Sequence, residues 1–430
     1  MKKKIFYCLV LCLAAPSAMA QELPVADMLD VEFNIDGTAI DVSPMKNPVE
    51  YLGSGTVISY NSIFGRHIAT MNNEWGKKCT GCFRVDYEEN EAFNDGLADS
   101  HSLEILVKAN YEGHIPNVNC YPFSSMEAGG TGIFMGKGSS EYRSFSFGPN
   151  VTETGASTYR YAISEVTPIL GLYYHVICVW NKDDAKAYIY VDGVLCNAVD
   201  APGDFRPANA GVRWFCIGGD AGPSGGTGGW NGDIVIARVY DKPLTSAEVE
   251  LLWNQVKEPE KEANTPTYTS FIEEGRKYLT SENLVATQTL LDDYSDGLTT
   301  LEGLIAEGSY EELTKQYNMM VECRKKIEAS AAAYANYKSH VEAAISSLEE
   351  NAAIKGDDRN YLELYLKEYF EPSENYPHGS SLYIWETHML SEEDISLEAE
   401  WVDEKLRVVL AMSSQYNGKL LHLTDLYTER

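Results

Sequence analysis

The run from Gly171 to Val256 restricts the fold more than any other part of the chain. Tyr173 to Trp180 is dense in β-branched and aromatic residues, and Tyr188 to Val191 repeats that composition, so both read as strands. The polar run Asn181–Lys186 between them reads as a hairpin loop. Asp192-Gly193 is a tight-turn signal, because glycine accepts positive φ without steric cost. Ile234 to Tyr240 is apolar in both parities, the pattern of a strand covered on both faces. Thr245 and Glu248 then form a capping box, in which hydroxyl and carboxylate each satisfy a backbone N–H at the start of a helix.

Upstream, Val31 to Gly37 is an alternating strand followed by a turn, and residues 43–100 are turn-rich with several short strands at most. Leu103, Ile105 and Val107 alternate with Ser102, Glu104 and Lys108, which predicts a half-buried strand with its polar side in water. Many short strands, glycine and proline turns and few helices make a β-sandwich. From Lys257 to Thr267 (KEPEKEANTPT) the chain is charged, holds two prolines and lacks apolar period, the marks of a linker. Beyond it the period changes to about 3.6. Apolar positions from Leu313 to Leu348 predict one amphipathic helix on the order of 60 Å long. Further helices are expected over 284–305 with an interruption near Gly297, over 360–370, and after the cap Ser391 with Trp401, Leu406 and Leu410 on the buried face.

Tyr174-His175-Val176, Tyr190-Val191-Asp192-Gly193, Ile217-Gly218-Gly219, Gly232-Asp233-Ile234 and Arg238-Val239-Tyr240 resemble the laminin-G-like, concanavalin A-like jelly rolls of secreted bacterial proteins. Leu244 to Glu248, and strands at His101–Val107 and Gly132–Gly138, complete the likeness, which spans roughly residues 28–256. The expected organisation is multidomain: an all-β concanavalin A-like jelly-roll sandwich followed by an all-α helical bundle. A signal peptide takes 1–20, the jelly roll 21–256, the linker 257–267 and the bundle 268–430. The bundle resembles helical appendages of glycan-handling bacterial surface proteins.

Lys2–Lys4, the apolar run Ile5–Ala15 and Ala18-Met19-Ala20 form the secretory leader, so export to the periplasm or cell surface is expected, with no membrane-spanning segment in the mature chain. The formal net charge of −30 excludes a nucleic-acid partner, whose phosphates require a basic face. Of nine cysteines, Cys79 and Cys82 (CTGC) are a loop pair, read as a local disulfide or plain thiols. Cys178 and Cys216 lie within apolar strands and read as buried thiols.

Jelly rolls of this kind include lectins and glycoside hydrolases. The hydrolases set alternate acids of one strand into a cleft as E-x-D-x-E, and no such motif occurs. Glu32 and Asp36, Asp86 and Glu88, and Glu89 and Glu91 are poor substitutes. No phosphate loop occurs, and His67, His101 and His114 have no metal-ligand spacing. The family's last strand often carries an Asp tied to structural calcium, but Val235 and Ile236 stand there. Asp233, Asp220, Asp36 and Asp41 remain as oxygen donors, so no cofactor is assigned and any metal site is unknown.

A binding role is left. Sugars stack on exposed rings while carboxylates and amides take the hydroxyls. Trp230 with Asn231, Asp220 across the Gly-rich loop, Trp75 and Tyr142 are the candidate glycan ligands, whereas Trp180 and Trp214 read as core. The expected function is a secreted, non-catalytic, lectin-like protein that binds a polysaccharide or glycan, with the bundle as spacer or as a dock for another surface protein. A protein–protein adhesion or assembly module is the alternative, and a glycoside hydrolase or lyase the third reading.

Overall fold

The computed structural model describes residues 22–74, 79–110, 119–137, 143–220, 228–281 and 284–414. The expected leader, residues 1–20, lies outside them. The chain forms two compact units, Met1–Asn264 and Thr265–Arg430.

In the first unit the strands are β1 Leu29–Phe33, β2 Ala39–Asp41, β3 Val49–Gly53, β4 Thr56–Asn61, β5 Arg66–Asn72 and β6 Gly81–Asp86. Helix α1 Glu91–Asp99 precedes β7 His101–Ala109, β8 Cys120–Ser124, β9 Gly132–Lys137 and β10 Arg143–Phe147. Then come β11 Asn150–Glu153, β12 Ala156–Tyr159, β13 Ala162–Ile163, β14 Tyr173–Asn181, β15 Lys186–Val191 and β16 Val194–Asp200. β17 Asp204–Phe205, β18 Trp214–Ile217 and β19 Asn231–Tyr240 complete the set. The larger sheet runs β16-β15-β14-β7-β19-β1-β2, with β5 also on β19 and β4 on β5. The smaller runs β13-β10-β9-β8-β18-β6-β3, and β12-β11-β17 form a third, short sheet. The strand pairs are antiparallel, as in a jelly-roll sandwich.

The core lies between the two large sheets. Leu103, Ile105 and Val107 of β7, Val176, Cys178 and Trp180 of β14, and Phe83, Phe123, Phe145, Phe215 and Ile217 of the smaller sheet are all buried. Ring pairs bridge the layers, Phe33 to Phe83 at 5.3 Å and Phe145 to Tyr174 at 5.5 Å between centroids. The β14–β15 hairpin has its polar loop where the sequence places it, with the Asn181 side-chain oxygen accepting from the N–H groups of Asp183 and Asp184. At the next turn Asp192 and Gly193 both have positive φ, 51° and 75°, the two-residue geometry that matches strand twist. A Cβ on Gly193 would meet the Trp253 ring at 2.4 Å, so packing as well as the turn requires glycine.

Helix α2, Ser246–Leu279, starts at the expected capping box: the Thr245 N–H donates to Glu248 at 2.9 Å, and the Glu248 N–H to the Thr245 hydroxyl at 3.3 Å. It does not stop at 256. Residues 257–267, expected as a linker, are helical, and the boundary between the units falls at Asn264. Leu252, Val256, Glu260, Asn264, Tyr268 and Ile272 are all buried, one face with a period of four. Polar residues at 260 and 264 hide that face from a hydrophobicity reading. Asn264 earns its place by bonding: its side chain accepts from the Tyr173 N–H at 2.7 Å and donates to the Tyr173 carbonyl at 3.2 Å.

Two further expectations are corrected in this unit. Residues 43–100 include α1, capped by Asn90 and seated through Phe93 and Leu97, an i, i+4 apolar pair inside an acidic run. Strand β7 is buried on both faces, because the polar side that was expected to meet water lies under cover.

The second unit is helical, with α3 Gln288–Glu307, α4 Tyr310–Glu350, α5 Asp357–Lys367, α6 Ser381–Thr387 and α7 Glu392–Ser414. The long helix runs unbroken as its period predicts. α3 is also unbroken at Gly297, where a Cβ would meet the Met320 sulfur at 2.1 Å: the glycine is there for close helix packing, not for a break. Ser391 caps α7 by accepting from the Asp394 N–H at 3.1 Å. The buried face of α7 is Ile395, Ala399, Val402 and Val409, while Trp401 and Leu406 are only half-buried against that cluster. The expected face is rotated by about one residue. No helix among the described residues is long and apolar enough to cross a membrane.

Candidate functional site

Trp230, the first candidate for a sugar platform, is fully buried. Its N–H donates to the Gly218 carbonyl at 3.0 Å, and its own carbonyl accepts from Asn73 at 2.9 Å. Asn73 is the organiser of this region. Its side-chain nitrogen faces the carbonyls of Gly81, Gly218 and Trp230, and its oxygen accepts from the N–H groups of Thr80 and Gly81. One buried amide thus holds together both ends of the Gly-rich loop and the start of β6. A ring closed into the core cannot stack on a sugar, so Trp230 is a structural residue. Asn231 begins β19 opposite Asn72 and spends its carbonyl on the Asn110 N–H at 3.0 Å. Trp75, Tyr142 and His114 lie outside the described residues.

The other expected donors are occupied by the protein itself. Asp233 accepts from Thr70 at 2.7 Å, Tyr173 at 2.6 Å and Lys108 at 2.7 Å. Asp41 accepts from Asn47 at 2.7 Å and from the Asp30 N–H at 3.0 Å, and Asp36 folds onto Thr38. Asp86 takes the Trp214 indole N–H at 3.2 Å and Glu88 takes the Gly211 N–H at 2.8 Å. Among the described residues no group of three or more His, Cys, Asp or Glu side chains is arranged to hold a metal ion. Cys79 and Cys82 are thiols with Gly219 packed on both, and Cys178 and Cys216 are buried. Trp180 is core as expected, but Trp214 is half-buried, with the Arg84 guanidinium 4.1 Å above its ring.

What the fold does bring together is a row of rings that sequence inspection did not connect. In β9 the alternation puts Ile133 and Met135 into the core and Phe134 on the opposite side of the sheet. Tyr121 of β8 stacks on Phe134 at 6.0 Å, Phe134 meets Tyr161 edge-on at 5.4 Å, and Tyr161 stacks on Tyr159 at 5.8 Å. Tyr161 is 46% exposed, Tyr121 and Tyr159 are half-buried, and Phe134 is the covered base of the row. Glycines make room for it. A Cβ on Gly148 would touch Tyr161 at 2.9 Å, and one on Gly228 would touch Tyr121 at 2.4 Å.

Polar groups flank the rings. Arg143 donates to the Asn119 side-chain oxygen at 3.0 Å, and Asn119 donates to the Tyr121 hydroxyl at 3.4 Å. Tyr159 is pinned by donating to the Gly129 carbonyl at 2.7 Å. Burial pushes the Tyr121 hydroxyl up to about 12, and the nearby Asp220 charge adds to the rise. Among the described sequence candidates, Asp220 is the one whose charge acts on a ring of this row. The four rings come from β8, β9, β12 and the segment before β13, and their only sequence signal is an aromatic at each out-facing position.

The face of the larger sheet turned away from the core carries a second polar centre. Glu104 is buried and accepts from His175 at 2.8 Å, from Arg238 at 3.3 Å and from the Tyr240 hydroxyl. Arg238 also donates to Asp30 at 3.0 Å. Burial pushes the Glu104 carboxyl up, but the Arg238 charge and the His175 and Tyr240 bonds outweigh it and hold the group at about 2. Burial, reinforced by Glu104, drives the Tyr240 hydroxyl far above its usual range. Every oxygen of Glu104 is bonded, so this centre braces the sheet.

Residues 118–250 match a laminin-G family model described as the concanavalin A-like lectin/glucanases superfamily. A comparison with curated proteins found no match. Among solved structures, the chain is similar to the binding domain of botulinum neurotoxin DC in complex with SialylT, at 13% identity and a TM-score of 0.40, covering 61% of this chain and 53% of that one. It is similar to the same toxin's binding domain in complex with rat synaptotagmin II, at 14% identity and TM-score 0.39, covering 54% and 52%. It is also similar to the binding domain of paraclostridial mosquitocidal protein 1, at 13% and 0.39, covering 60% and 54%. The chain thus spans about half the length of these structures. The two antiparallel sheets give the sandwich the concanavalin A-like jelly-roll fold that this laminin-G match describes.

Proposed function

We propose that the sandwich is a non-catalytic carbohydrate-binding module of an exported protein, and that the row Tyr121, Phe134, Tyr161 and Tyr159 is its sugar platform. The observation that carries this reading is a continuous line of four rings in contact, two pairs stacked and the middle pair edge-on, with Tyr161 open to solvent. Flat rings meet the apolar faces of pyranoses, and Asn119, Arg143 and Asp220 supply polar groups beside them. The acids at 86 and 88 support a binding rather than a hydrolytic role, because each serves a neighbouring N–H. In this reading the helical unit is a spacer or a dock for another surface protein.

The test is a glycan array with the full mature chain and Tyr161→Ala beside it. We expect selective binding that weakens about three- to tenfold in the variant, with an unchanged unfolding midpoint. A silent array sinks the glycan reading. One observation favours the protein-adhesion alternative in that event: Val194 and Leu195, on strand β16 at the end of the larger sheet, are 60% and 49% exposed. Such an edge can take an added strand from a partner.

A further inference from the structure

The first unit contains a cavity of about 380 Å³ that the proposed glycan face does not use. Its floor is the outer face of the larger sheet, where Leu106 and Ile236 supply apolar surface. Leu252 and Val256 of α2 form one wall, Phe64 another, and Leu23 and Val25 stand at the rim, 46% and 60% exposed. The volume lies at the small end of the range for small-molecule sites, about 300–1,000 Å³.

The charged lining is unevenly satisfied. Asp30, Glu104, Arg66 and Arg238 all line the cavity. Arg238 is spent on Asp30 and Glu104, and Glu104 is further bonded by His175 and Tyr240. Arg66, on β5, is half-buried, and among the described residues its guanidinium has neither an ion pair nor a hydrogen bond. Burial depresses it, and the like charge of Arg238 adds to that; Asp30, Glu32 and Glu104 act on it only at a distance. A guanidinium has five donors in a planar fork suited to a carboxylate, so Arg66 offers unspent donors at the cavity wall.

We infer that this cavity binds a small organic monocarboxylate, its carboxylate paired with Arg66 and its apolar body lying between Leu106, Ile236 and α2. An alcohol of the same length lacks the charge, and an ammonium would meet the unpaired Arg66 with the wrong sign. The site is separate from the ring row, which lies on the other sheet, so failure of one reading leaves the other standing.

The experiment is calorimetric titration of the full mature chain with octanoate, octanol and octylamine, repeated with Arg66→Gln and with Val25→Trp, which fills the rim from an exposed position. Saturable octanoate binding is expected, at least about tenfold tighter than octanol, with no binding of octylamine. Arg66→Gln should weaken octanoate about tenfold while leaving the unfolding midpoint unchanged or higher, since the cation has no partner to lose. Val25→Trp should weaken octanoate and octanol alike. The inference is overturned if millimolar octanoate does not bind, if octanoate and octanol bind equally, or if neither substitution changes octanoate affinity. Should Arg66→Gln fail to fold, the ligand comparison and Val25→Trp decide the matter by themselves.

Discussion

The sandwich and the helical unit both bury polar side chains, but they recruit partners over very different lengths of chain. In the sandwich, Glu104 bonds to residues 71, 134 and 136 positions away, Arg238 to one 208 away and Asn73 to one 157 away. In the helical unit, Ser309 and Glu312 close a capping box three residues long, and Arg359 reaches Glu363 four residues on. Among its described residues the relay from His378 through Glu398 and Tyr365 to Tyr337 joins partners 20, 33 and 28 apart, and the farthest side-chain pair, His340 to Asp403, spans 63. Sheets must pair distant strands before any of their charges are satisfied, whereas helices satisfy their backbone locally and need tertiary contacts only for one face. Substitutions in the two units should therefore differ in size and in reach.

The largest effect is expected at Glu104. Glu104→Ala strands Arg238, His175 and Tyr240 beneath cover and should cost about 3–5 kcal/mol in denaturant unfolding, with lost amide protection across β7, β14 and β19. A cost under about 1 kcal/mol would mean that the centre does not brace the sheet. Trp230→Ala comes next, at about 3–5 kcal/mol, because it empties a fully buried site under the Gly-rich loop. A stable Trp230→Ala chain with selectively lost glycan binding would restore the ring to the binding face and break the present assignment.

His101 sets a pH dependence specific to the sandwich. Its ring bonds the Leu97 carbonyl and the Thr131 hydroxyl, and burial pulls its folded value from 6.5 to about 4. Between those values the unfolded chain binds a proton that the folded chain does not. The contribution is complete above pH 6.5 and is lost as pH falls toward 4, by about 3 kcal/mol in total. Unfolding free energies measured from pH 7 to pH 4 should show that slope, and His101→Gln should flatten it. The smallest effect belongs to the helical unit: Ser309→Ala should cost about 1 kcal/mol and loosen amides only near the start of α4. Loosening along the whole of α4 would show that this helix, too, depends on a distant nucleus.

The same difference in reach explains what inspection of the chain recovered. The helical period of α4, the caps at Thr245 and Ser391, and the Asp192-Gly193 turn are each written in residues within a few positions of one another. α1 was legible too, through Asn90, Phe93 and Leu97, but its acidic surroundings masked it. Trp230 misled because its neighbours in sequence are glycines and polar residues, while its neighbours in space are Asn73 and the core. Glu104 misled in the same way: alternation predicts a solvated face, whereas His175, Arg238 and Tyr240 from distant strands close around the carboxylate.

By itself, then, the sequence determined the strand and turn alternation of the first half, the helical period of the second, and the glycines that allow positive φ at the turns. These rest on local sterics and hydrogen bonds that need no distant partner. The tertiary structure alone decided which ring is buried and which is open, which carboxylate is braced, and that residues 257–267 continue as helix. It also assembled the row from Tyr121 to Tyr161 and left Arg66 without a partner beside a cavity. Burial and charge pairing belong to residues that meet only after strands far apart in the chain have paired, so no window of sequence contains them.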